Sequence, residues 1–201
     1  MTAGYRTAIA EYIAREAKPA EKFGHQPRLY ALTRLIGKGM EYDDDVVYAA
    51  AWLHDLGVFV GHRPEDPELL ARWDHVAYTV ERLPAILTGF GFPSEKVPAV
   101  LDAVRTHQPK DDPATIESVI LRDADILERL GAMGALRAIS KVGKDTRFPT
   151  YTPAVAALRR ALNDLPPLIR LGSTRDLAQP RIRILQAFLA AVDDEAGGSL
   201  F

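Results

Sequence analysis

The chain has 201 residues, 47% of them hydrophobic, with 27 acidic residues against 25 Lys and Arg, a net charge of −2, and no cysteine. That is enough apolar material for one domain with a substantial core, and no apolar run approaches the ~20 residues of a membrane-spanning helix. Without cysteine there is neither a disulfide framework nor a thiolate metal site, and the small net charge argues against a broad nucleic-acid-binding face.

Helical periodicity runs through the chain. The first segment carries Arg6, Glu11, Arg15, Glu16 and Lys18 among its apolar positions, which is no signal-peptide pattern, and with the absence of cysteine it leads to the expectation of a cytoplasmic protein. It predicts a helix over 5–18, closed by Pro19. A second helix is expected near Pro27, since proline costs nothing at a first helical position, ending at Gly37 and Gly39. Asp43, Asp44 and Asp45 supply a cap and a negative first turn to a helix over 46–56. Asp66-Pro67 opens a segment reaching the low 80s, reset by Pro84. Ser94 caps 95–107, Thr115 opens 116–130, and Gly131 with Gly134 mark a turn or a close contact. Later helices read over 153–164 and 180–194, with 143–152 and 166–179 as polar loops. No alternating strand and no glycine-rich phosphate loop is present, so the fold class is all-α.

Five histidines sit in or beside these helices: His25, His54, His62, His75 and His107. His54 and Asp55 are adjacent, at the end of AAAWLHDLG. Asp123 and Asp125 lie in the mostly apolar segment RDADILERLG, where an unpaired carboxylate is costly. Two positions apart on a helix, they point about 200° away from each other, so one is expected to serve the interior and the other to face solvent or support a neighbour. For Asp125 alone, an ion pair with Arg122 or Arg129 accounts for the residue equally well. Taken together, the imidazoles and carboxylates form a donor set suited to Mn, Fe, Mg or Zn, although no short ligand spacing such as HExxH is present.

The order of these residues, His25 in HQPR, His54-Asp55 in WLHDLG and Asp125 in RDADIL, resembles the HD-domain superfamily of metal-dependent phosphohydrolases. RDADILERLGAMGALRA is similar to a small bacterial subgroup of that superfamily. The resemblance implies a single HD-type helical domain over 1–201, with a metal-binding core at about 20–142 and C-terminal helices at about 153–195. It implies His25, His54, Asp55 and Asp125 as ligands of a divalent metal. In branches with two further histidines, His75 and His107 hold a second ion bridged by Asp55. The cofactor is therefore one or two ions of Mn, Fe, Mg, Co or Zn. In one departure, the glutamate that single-metal members carry shortly after the His-Asp pair is replaced here by Leu56-Gly57-Val58-Phe59.

The implied reaction is hydrolysis of a phosphoester or phosphoanhydride, with a small phosphorylated substrate such as a nucleotide. Asp55 would orient or deprotonate water. Arg28, Arg72 and Lys110, each three residues from a candidate histidine, are the expected phosphate partners. Arg122 and Arg129 compete for that role, and Lys141, Lys144 and Arg147 stand in the later loop. Phe59, Trp73 and Phe148 are candidate stacking residues or plain core, and His62 reads as a solvated loop residue. Two rival readings remain: an HD-fold di-iron oxygenase using the same six residues, and a noncatalytic ligand-binding HD module. A homo-oligomer is left open.

Overall fold

The computed structural model describes residues 4–144 and 147–200. Among them are ten α-helices and four short 3₁₀ turns, with no strand. The chain divides into two compact units, Met1–Arg122 and Asp123–Phe201.

In the first unit, α1 (Tyr5–Glu16), α2 (His25–Ile36), α3 (Asp44–Leu53), α4 (Pro67–Ala71), α5 (His75–Gly89) and α6 (Val97–Arg105) are followed by the start of α7 (Ile116–Glu128). Helix α3 is its centre: every residue from Val46 to Leu53 is buried, and α1, α2 and α6 pack around it. A surface helix would show one apolar stripe; a helix apolar on all sides belongs inside. Three alanines, Ala49, Ala50 and Ala51, leave room for those neighbours. The acidic cap is present, with the Asp43 carboxylate accepting from the amides of Asp45 and Val46. Helix α5 packs on α6 and on the 3₁₀ turn Leu56–Val58.

In the second unit, the rest of α7 is followed by α8 (Gly131–Ile139), α9 (Tyr151–Asp164) and α10 (Gly172–Ala196). Helices α8, α9 and α10 all pack on one another. Gly131 has φ +71° and Gly134 lies against the Arg129 carbonyl, where an added Cβ would stand only 2.2 Å from the oxygen. Both glycines are thus required by the α7–α8 connection.

Several boundaries differ from the periodicity. The segment from Pro67 is two helices, because Asp74 takes the amide of Ala77 and starts α5 afresh at His75; His75 therefore opens a helix rather than lying within one. Residues 131–139 form a helix instead of a turn. The expected loop 166–179 ends early, since α10 begins at Gly172 and carries Pro180 in its interior. Its buried residues Thr174, Ala178, Leu185 and Leu189 recur at helical spacing across the proline, and that packing outweighs the one lost backbone hydrogen bond. Of the loop over 143–152, Asp145 and Thr146 lie outside the described residues.

Candidate metal centre

The site is built on helix ends. His54 follows the last residue of α3, Asp55 leaves the helical conformation (φ −98°, ψ 15°), and the chain turns through Leu56–Val58. A helix C-terminus leaves carbonyls without intrahelical partners. The imidazole of His54 takes one of them, Nδ1 donating to the Ala51 carbonyl at 3.1 Å. His107, two residues beyond α6, repeats the arrangement, Nδ1 donating to the Val104 carbonyl at 2.6 Å. A carbonyl can only accept, so both rings carry a proton on Nδ1 and turn Nε2 away from the helix-end carbonyls. A metal-ligating imidazole typically has its other ring nitrogen tied to an acceptor in this way. The two rings lie edge to face with centroids 5.0 Å apart.

His25 is the first residue of α2, and its Nε2 stands 3.3 Å from Nε2 of His54. The Asp55 carboxylate faces three imidazoles, at 3.8 Å from His25, 3.5 Å from His54 and 4.0 Å from His75. These separations exceed good hydrogen bonds. With metal–ligand bonds of about 2.0–2.2 Å, two atoms on one ion lie about 3 Å apart at right angles and about 4.3 Å apart when opposed, and the observed distances fall in that range. One donor atom each of His54, Asp55 and His107 lies within 4.8 Å of the other two. The donor set and its spacing thus fit a divalent cation. His25, His54 and His107 are buried, and His75 is half-buried. Burial would push the Asp55 carboxyl up, but the imidazoles of His54, His25 and His107 outweigh it and hold the group well below the ordinary carboxylate range.

Asp125 lies on α7 in the second unit, buried, with its carboxylate 2.5 Å from Arg129 one turn on; the ion pair weighed from sequence is formed. Asp123 is also buried rather than solvent-facing, and its carboxylate accepts the backbone N–H groups of Arg170 and Leu171. Support for the His54 and His107 rings comes from the Ala51 and Val104 carbonyls.

Among the expected phosphate partners, Arg28 is half-buried in the first turn of α2 and packs on Gly24, where a Cβ would meet its Nη1 at 2.8 Å. Arg72 and Lys110 are exposed, and Arg72 Nε turns back to the Glu68 carbonyl. Arg122 is buried and donates to the Pro109 carbonyl. His62 is not a solvated loop residue: its ring nitrogens meet Glu16 at 2.9 Å and the Tyr78 hydroxyl at 3.0 Å.

Two residues stand behind His75, one of them, Thr79, absent from the sequence reading. Trp73, read as a stacking or core residue, donates its indole N–H to the Gly57 carbonyl at 2.8 Å. The buried Thr79 hydroxyl accepts the Gly57 amide at 3.0 Å and donates to the His75 carbonyl at 2.7 Å. A threonine four residues after a histidine on a helix was the available signal, since such hydroxyls often bond the carbonyl one turn back.

The HD domain model matches residues 22–130, more than half of the chain. The chain belongs to the HD-domain family. Its match takes in His25, His54, Asp55, His75, His107 and Asp125. Among solved structures, this HD protein is similar to YpgQ of Bacillus subtilis, with TM-score 0.72 and 22% identity over 96% of each chain. It is similar to the same YpgQ in complex with ADP, at TM-score 0.69 and 21% identity over 96% of each chain. It also resembles an HD-superfamily hydrolase from Bacillus thuringiensis, at TM-score 0.67 and 18% identity, covering 97% of this chain and 96% of that one. At these identities the likeness shows the fold. No curated protein matches the chain. At the level of the family, membership supports a metal-dependent hydrolase with a small-molecule substrate. No described helix is long and apolar enough to cross a membrane.

Proposed function

We propose that this HD protein is a metal-dependent phosphohydrolase that cleaves a phosphoester or phosphoanhydride of a small molecule, with nucleotides as the first substrates to test. The observation that carries the reading is the pair of imidazoles, His54 and His107, whose Nδ1 protons are committed to backbone carbonyls beside the ionised Asp55. In this reading His25, His54, Asp55 and Asp125 would hold one ion, and His75 and His107, with Asp55 shared, would hold a second. Asp125 enters on its burial and its place within the family match. A bound ion would supply Lewis acidity, acidifying water and offsetting charge on the phosphoryl oxygens.

The chain's own residues set the rest. A carboxylate held as far down as Asp55 is a weak base, so Asp55 serves as an anionic ligand that accepts a hydrogen bond from the attacking water and orients it. No carboxylate follows the His-Asp pair until Glu65, which leaves the immobilised imidazoles and Asp55 as the groups that define the water's position. Arg28, on the same helical turn as His25, is the first choice for a phosphate oxygen, with Arg72 and Lys110 as exposed cations that meet the rest of the substrate. The ADP complex of YpgQ, a protein of the same fold, makes nucleoside diphosphates and triphosphates the leading panel members.

The test is phosphate release from nucleotides, sugar phosphates and diphosphates with Mn²⁺ or Co²⁺ added, run with and without oxygen. Metal-dependent release that is indifferent to oxygen and lost in Asp55→Ala supports hydrolysis. An iron-rich protein that consumes oxygen and releases no phosphate identifies the di-iron oxygenase instead. A metal-free protein inert in both assays identifies a ligand-binding module.

A further inference from the structure

The turn after the His-Asp pair is fastened to α5 at one residue. Gly57 donates its amide N–H to Thr79 Oγ1 at 3.0 Å, and its carbonyl accepts the indole N–H of Trp73 at 2.8 Å. The same Thr79 hydroxyl donates to the His75 carbonyl at 2.7 Å, and Thr79 has no exposed surface. The contact is close enough that a Cβ on Gly57 would stand 2.6 Å from the His75 carbonyl oxygen and 2.9 Å from its Cα. Asp55 lies two residues before Gly57, so the fastening sets the distance between the Asp55 carboxylate and the His75 ring, 4.0 Å here. His25, His54 and His107 have other supports: the α2 start, the Ala51 carbonyl and the Val104 carbonyl. Of the candidate ligands, His75 depends most on Thr79.

We infer that Thr79 is a positioning residue for His75, which through Gly57 controls occupancy of the metal position that His75 serves and leaves the His25–His54 position intact. This rests on the two-ion reading above. A buried hydroxyl that donates and accepts at once cannot be replaced by an isosteric methyl without stranding the Gly57 amide. Loss of such a supporting partner typically weakens metal binding 10–100-fold.

The experiment is calorimetric titration of the metal-free chain with Mn²⁺ for wild type, His75→Ala, Thr79→Val and Thr79→Ser, with melting temperature and hydrogen exchange of the Gly57 amide measured alongside. The expected result is two ions in wild type and loss of one in His75→Ala. In Thr79→Val the same ion weakens about tenfold to a hundredfold while the other is unchanged; in Thr79→Ser it recovers. The Gly57 amide should exchange faster in the valine variant alone. Two-ion binding lost in His75→Ala but unchanged in Thr79→Val overturns the inference and leaves the metal reading standing. Equal weakening of both ions, in step with the melting temperature, overturns it as a general stability effect. Wild-type binding of fewer than two ions overturns the two-ion reading, and the inference with it.

Discussion

Gly57 and His75 touch backbone to backbone: the Gly57 α-carbon faces His75 so closely that no side chain fits between them. Seventeen residues of intervening chain are thereby folded back so that the end of the His-Asp turn and the start of α5 meet. Gly57→Ala should push α5 outward, lowering stability by about 1–3 kcal/mol through overpacking. Thermal unfolding in the absence of metal measures this, and a variant as stable as wild type would show that the contact relaxes freely.

The acidic run before α3 does more than cap it. Arg6 bonds Asp44 and Asp45, and Lys96 bonds Asp43 and Asp45. Hydrogen bonds from Lys96, Tyr5 and Arg6 hold the Asp45 carboxyl far below its ordinary value. In the unfolded chain the group takes up a proton near pH 4, whereas in the folded chain it resists doing so. Its contribution to stability is therefore present above that pH and lost as the pH falls towards the depressed folded value. Asp45→Asn should lower stability near neutrality and flatten its fall between about pH 4 and pH 2. Denaturant titrations at several pH values check the slope; parallel curves for the two proteins would refute the role.

Asp123 ties α7 to the entry of α10 by accepting the N–H groups of Arg170 and Leu171. Asp123→Ala should cost about 1–3 kcal/mol, because buried donors lose their acceptor, and Asp123→Asn should recover part of it. Exchange of the Leu171 amide separates this local tie from general loosening: it should quicken in alanine before that of α9 does.

Much of the site could be read in the chain because it depends on residue identity. The apolar α3 with His54 and Asp55 at its end, the Asp43 cap and the late aspartates are all local patterns. His25, His54, Asp55, His75 and His107 stand near one another in the first unit. What could not be read depends on contacts between distant segments. The periodicity of α10 runs through Pro180, but a proline preceded by polar residues looks like a helix start until the packing of Thr174 and Ala178 is known. His62 looked solvated because neither Glu16 nor Tyr78 is near it in sequence. Thr79 and Trp73 gained meaning only once Gly57 was seen between them. Even the tautomers of His54 and His107 rest on a backbone feature, the free carbonyls at helix ends, that no side-chain motif records.

The central claim is that these imidazoles and the Asp55 carboxylate hold a divalent metal, and its most direct test is the metal content of the natively purified chain beside His54→Ala. His54 is a proposed ligand of one ion and its ring packs against His107, a proposed ligand of the other, so its removal should leave the remaining donors too poorly held for tight binding. Wild type carrying at least one equivalent of a transition metal, with the variant retaining less than about a tenth, is the predicted result. A wild-type chain that stays metal-free in the presence of Mn²⁺, Co²⁺, Fe²⁺ and Zn²⁺, or a His54→Ala chain that binds as well as wild type, would contradict it.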